Sequence, residues 1–134
     1  MRFDTQGVII EAATEAVVEF VGDGANLPRW AIGFAKSVEA DGDGWVVTTG
    51  SSDRIATRIV VNKAAGTVDF VMSPAPGVEV WAWSRAVAVE RVSLFSFTQV
   101  QPTGMPDAAF DAQVAALRHE LVALKALLEV ACPL

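Results

Sequence analysis

The chain has no tyrosine, one cysteine and one histidine in 134 residues. A lone cysteine, Cys132, excludes an intrachain disulfide and any cysteine-built zinc site. A lone histidine, His119, leaves no Ser-His-Asp or Cys-His set unless it faces inward. The dispersed carboxylates show no metal-ligand spacing either. Asp41 and Asp43 lie in a glycine-rich turn but lack the loop pattern and closing glutamate of an EF-hand. Basic residues are few as well: 10 Lys and Arg against 16 Asp and Glu give a net charge of −6. They are scattered, which argues against nucleic acid and against anionic membranes. No apolar run approaches the roughly 18 residues of a membrane span. The first dozen or so residues carry acids where a signal peptide needs basic and then apolar ones. A cytoplasmic location is the expectation, and no cofactor is expected.

What is present points to a well-filled core. Hydrophobic residues make up 52% of the chain and charged ones 19%, with four Trp and seven Phe supplying an almost wholly apolar aromatic set. A chain of this size buries roughly two thirds of its unfolded surface without needing staples. One domain over 1–134 is expected.

Residues 2–12 read as a strand with Phe3, Val8 and Ile10 as inward candidates. Thr14 then stands at a capping position before the helical spacing of Glu15 to Val21. Gly22-Asp23-Gly24 ends that helix, and Asn26-Leu27-Pro28-Arg29-Trp30 starts a second short one, with Asn26 at a capping position and proline in the tolerated first turn. From Lys36 to Gln101 the pattern changes to strands: 36–40, 45–49, 54–61, 67–72, 78–89 and 93–101. The turns between them are rich in Gly, Pro, Asn and Asp. Short connections demand antiparallel pairing. Asp107 to Val130 contains no Gly or Pro, and Phe110, Val114, Leu117, Leu121, Leu124 and Leu128 recur at steps of four and three. This predicts one long amphipathic helix. Packing on the sheet is favoured over a coiled-coil seam, although the stripe also fits a homodimer.

Strand, two short helices, six strands and a long final helix resembles the START-like superfamily, the helix-grip proteins. These include polyketide cyclases/dehydrases, pathogenesis-related plant proteins and lipid-transfer domains. Ile10 to Val17 resembles the family's entry into its first helix, and Asn26 to Trp30 its N-x-P-x-W segment. Gln101 to Asp107, with Phe110, Glu120-Leu121, Leu124-Lys125 and Leu128-Glu129, resembles the approach to the grip helix in bacterial members. The resemblance spans the whole chain. It implies an α+β fold, a curved antiparallel sheet of about seven strands around the C-terminal helix, with a cavity between them. It implies little about chemistry.

Strand alternation nominates the cavity lining. Phe95, Phe97 and Gln99 share one face and are taken as inward. So are Val68, Phe70 and Met72, and Ile55, Thr57 and Ile59, which leaves Arg54 and Arg58 outside. On 78–89 the choice falls between Trp81, Trp83 and Arg85 and the opposite set Val80, Ala82 and Ser84. The cost of two exposed tryptophans places the Trp face, and with it Arg85, inside. A buried guanidinium needs a partner, which makes Arg85 a candidate anchor for a ligand oxygen, or else half of an internal salt bridge. Gln113 lies at the edge of the helix stripe beside Leu117 and Leu121. Trp30 and Phe34 are expected to close one end. His119 lies about 200° around the helix from Leu117 and should face water.

Three functions follow from this reading. The first is binding of a small, largely apolar molecule, a lipid, polyketide or aromatic metabolite. The second is a cyclase or dehydratase acting in the same cavity, with Arg85 and Gln99 stabilising an enolate oxygen. The third is a protein-interaction module that uses the outer sheet face.

Overall fold

The computed structural model describes all residues, 1–134. Seven strands form one antiparallel sheet: β1 Phe3–Ile10, β2 Ser37–Asp41, β3 Gly44–Thr48, β4 Arg54–Asn62, β5 Thr67–Ala75, β6 Val78–Val89 and β7 Val92–Val100. Their order is β1-β7-β6-β5-β4-β3-β2, so the first strand pairs with the last. Helices α1 Thr14–Gly22 and α2 Leu27–Trp30, with a 3-10 turn at Gly24–Asn26, link β1 to β2. Helix α3, Asp107–Ala131, follows the sheet and lies against its concave face. This is the α+β helix-grip arrangement that the sequence predicts.

Turn chemistry sets the hairpins. Between β5 and β6, Pro76 presets the first turn position and Gly77 takes φ +75°, which a side chain would resist. Between β2 and β3, Gly42 does the same at φ +57°. The β6–β7 turn has no glycine; Glu90 takes φ +55° there and carries the strain.

Two capping expectations shift by a residue or a role. Ala13, not Thr14, precedes α1, and Thr14 lies in its first turn. Asn26 makes no cap; its amide donates to the Phe20 carbonyl at 3.0 Å. Asp23 caps the 3-10 turn by accepting from the Ala25 N–H at 3.0 Å.

The core is the helix stripe pressed on the sheet. Phe110, Leu117, Leu121, Leu124 and Leu128 are buried and Val114 is half-buried. Each such side chain contributes roughly 1.5–3 kcal/mol by leaving water. Beneath them lie Ile10, Val68, Phe70, Ala82, Ala86 and Phe95, with Val17, Val18 and Val21 of α1 at one end. Polar side chains inside this core are bonded: Ser84 donates to the Val68 carbonyl at 2.6 Å and Ser93 to the Ala12 carbonyl at 2.7 Å.

Polar clasps at both ends hold α3 to β1. Arg2 bonds Asp111 and lies over the Phe110 ring. Lys125 donates to the Ile9 carbonyl at 2.8 Å and to Glu129 at 2.6 Å, while Glu129 also accepts from the Glu11 N–H. These bonds hold the Glu129 carboxyl below the usual carboxylate range, Lys125 first and the Glu11 amide second. Val8 and Ile10 point inward as expected. Phe3 does not: it is 72% exposed, because β1 alternates regularly and Phe3 falls on the opposite face from Val8.

Candidate functional site

The concave face of a sheet cannot be filled by one helix along its whole length. Towards the β5–β6 hairpin, α3 and α2 leave a cavity of about 440 Å³, open to solvent on one side. Its floor is Phe70, Ala82 and Phe97, and its roof is Leu117 with Trp30 and Phe34 of the α2 end. The rings interlock there. Trp30 meets Phe97 edge-on at 6.4 Å, and Phe97 tilts against Phe70 at 5.8 Å. The Trp30 Nε1 donor is buried without a partner.

Ten residues taken from the sequence as lining come together here: Trp30, Phe34, Ile55, Phe70, Met72, Trp81, Phe97, Gln99, Gln113 and Leu117. Gln113 is exposed, so it belongs to the mouth. Phe95 and Leu121 are buried in the core beside the cavity without bordering it. His119 is exposed, as the helix phase requires.

Trp83 and Arg85 are corrections. Val80, Ala82, Ser84 and Ala86 face inward along β6, while Trp83 is 40% exposed and Arg85 is exposed. Trp81 shares the outer face: its indole stacks on Trp83 at 6.4 Å and donates to Glu79 at 3.4 Å, and the residue touches the cavity only at its rim. The physical reason is volume. Phe70, Phe95 and Phe97 already fill the neighbouring strands, so β6 must offer small side chains beneath the helices. The outer indoles are not simply in water either. They stack on each other, and Val71, the residue paired with Trp81, is 98% buried on that side of the sheet. Arg85 borders a separate surface depression with Lys63, Glu15 and Glu19.

Besides Gln99 and Gln113, two carboxylates at or behind the cavity wall are ones the sequence reading passed over. Glu120 borders it and is only 8% exposed. Its carboxylate accepts from the Gly33 N–H at 3.2 Å, and beside it lies the Phe34 amide, whose own bond goes to the Ala31 carbonyl at 2.9 Å. Burial pushes the carboxyl above its ordinary pKa, and the two amides only partly oppose this. Asp4, half-buried on β1, collects the amides of Gln6 at 2.8 Å and Gln99 at 3.3 Å. Gln6 also donates to the Val114 carbonyl at 2.9 Å, tying this cluster to α3. Glu120 could have been found by the same arithmetic as the leucines. It lies three residues from Leu117 and four from Leu124, on the same face of the helix.

No family model and no curated protein matches the sequence. Solved structures match its shape. The protein XoxI from Bacillus cereus superposes with a TM-score of 0.77 at 20% identity, over 95% of each chain. A START superfamily protein from Mycobacterium smegmatis gives 0.69 at 13% identity, over 96% of this chain and 98% of that one. BexL, a di-domain ARO/CYC from the BE-7585A biosynthetic pathway, gives 0.72 at 21%, over 96% of this chain and 47% of that one. At these identities the likeness carries the fold and not the chemistry. The chain has the START-like helix-grip fold. No helix in it is long and apolar enough to cross a membrane.

Proposed function

We propose that the chain binds a small, largely apolar molecule in the cavity between the sheet and α3. A lipid, a polyketide or an aromatic metabolite fits this description. The observation that supports it is the cavity itself: about 440 Å³, with 16 of its 23 lining residues hydrophobic and a few polar groups among them. That is the size and make-up of small-molecule sites in general. Sharing a fold with a START superfamily protein and an ARO/CYC di-domain supports the same reading by analogy.

Native mass spectrometry of protein purified from its own host tests it. The expected result is a retained small molecule that is lost from an Ala82→Phe variant, since Ala82 is on the cavity floor. Equal retention by both proteins would place the ligand elsewhere.

One observation favours a second reading, a cyclase- or dehydratase-type enzyme. Glu120 is a carboxyl inside the cavity whose proton affinity is raised, the property a general acid needs near neutral pH. A retained molecule that changes mass on incubation, and still changes with Glu120→Gln, would count against Glu120 in that role.

A further inference from the structure

Glu120 is the one ionisable residue among those that line the cavity; no Lys, Arg or His joins it. An anionic head group entering there would find no cation. It would meet a carboxylate instead, at short range and in a medium less polar than water, where like charges repel strongly.

The placement of that carboxyl is built in. The Gly33 backbone N–H holds it at 3.2 Å, next to the Phe34 amide. The approach requires glycine: a Cβ on Gly33 would come within 2.9 Å of the Ala116 Cβ and 3.6 Å of the Glu120 Oε2. A carboxylate has about four lone-pair sites, so one backbone donor leaves acceptor capacity over. Gln99 adds to the same polarity. Asp4 takes one of its two amide N–H groups, and its carbonyl oxygen is another acceptor. Behind Gln99 the Asp4 carboxylate adds a second negative charge, and the groups bonded to it, Gln6 and Gln99, are neutral.

We propose that the cavity selects its ligands by head group. It takes amphiphiles that offer a hydrogen-bond donor to Glu120, a hydroxyl or a cationic amine, and rejects those ending in a carboxylate or another anion. This rests on the cavity being the binding site and narrows the class of molecule that enters it. The raised proton affinity of Glu120 agrees with the arrangement. An uncompensated carboxylate is costly where it stands, and a ligand cation would supply the missing partner.

Three probes with the same ring body test it, each titrated by isothermal calorimetry into the 134-residue chain at neutral pH. They are 2-naphthol, 2-naphthylmethylammonium and 2-naphthoate. The naphthol reports on the cavity, and the two charged probes on the head-group rule, because both must shed water from one charge. The expected result is that naphthol binds and the ammonium binds at least about tenfold tighter than the carboxylate, the lower end of a charged hydrogen bond's contribution. Glu120→Gln, which keeps the shape and one backbone acceptor, should erase most of that ratio and leave naphthol bound. Equal affinity for both charged probes, or a preference for naphthoate, overturns the selection while leaving the cavity reading intact. A ratio that survives Glu120→Gln removes Glu120 as its source. Failure of naphthol itself to bind overturns the cavity reading and this inference with it. The wild-type ranking decides the first question even if the variant does not fold.

Discussion

Truncating one leucine of the α3 stripe should cost different amounts at positions of similar burial. Leu124 is fully buried in the core, away from the cavity, so Leu124→Ala opens a void with no outlet. Losing three buried carbon groups costs about 2.4 kcal/mol at roughly 0.8 kcal/mol each. The residual void adds about 24 cal/mol per Å3 of unrelaxed volume, bringing the total to about 3–5 kcal/mol. Alanine's better helix propensity returns only a few tenths of a kcal/mol. Leu117 is 3% exposed but borders the existing cavity. Leu117→Ala enlarges a space already open to solvent, so only the transfer part applies, about 2 kcal/mol. Val122, 62% exposed on the far side of the helix, is the control, with about 0.5 kcal/mol or less expected for Val122→Ala. Urea unfolding at 25 °C, with one slope shared by all variants, measures the three values. Equal losses for Leu117 and Leu124 would refute the reasoning about the cavity. A loss below 1 kcal/mol at Leu124 would refute the packing of α3 on the sheet.

Other outcomes are open to direct measurement. Because the folded Glu120 carboxyl holds its proton to higher pH than the unfolded one, unfolding releases a proton in that window, and stability falls as pH rises through it. Glu120→Gln removes this loss, so its stability relative to wild type should grow as pH climbs from about 4.5, the ordinary glutamate value, and then level off. Glu129 works in the opposite direction, stabilising above its ordinary range and losing that contribution as acid protonates it; present in both proteins, it cancels in the difference. Gly24→Ala should destabilise by about 1–3 kcal/mol, since the new Cβ would sit 2.5 Å from the Trp45 indole; a neutral result in thermal melts would contradict that contact. Arg85→Met and His119→Gln should leave 2-naphthol affinity unchanged, because both side chains are exposed and away from the cavity.

Much of this fold is legible in the chain because two periods are clean. Steps of three and four mark α3 from Phe110 to Leu128, and alternation settles β4, β5 and β7, where one face is plainly the more apolar. On β6 alternation offers two phases, and the tie is broken by volumes on other strands, which the β6 sequence does not contain. Aversion of tryptophan to water picks the wrong phase, because stacking of Trp81 on Trp83 and the burial of Val71 reduce that cost. Glu120 escapes for a related reason. A charge inside an apolar stripe looks like an irregularity until the amides of Gly33 and Phe34, far away in sequence, are seen to face it. Asp4 is hidden by the choice of Phe3 as inward, which puts its neighbour on the wrong side of β1.

The pairing of the first strand with the last also orders events in time. Strands β2 to β7 are joined by short hairpins, whose ends meet at little entropic cost. Strand β1 must wait for a partner almost the whole sheet away: Phe3 pairs with Val100 and Ile10 with Ser93. Helix α3, whose clasps reach back to Arg2 and Ile9, is made later still. On a ribosome, then, β1 is synthesised before every other strand of the sheet and is paired only after β7. Until β7 follows, β1 stays unpaired, the kind of exposed edge that invites mispairing. The polar residues Asp4, Thr5 and Gln6 within it interrupt what would otherwise be a continuous run from Phe3 to Ile10, and so shield the nascent chain before they serve the folded one.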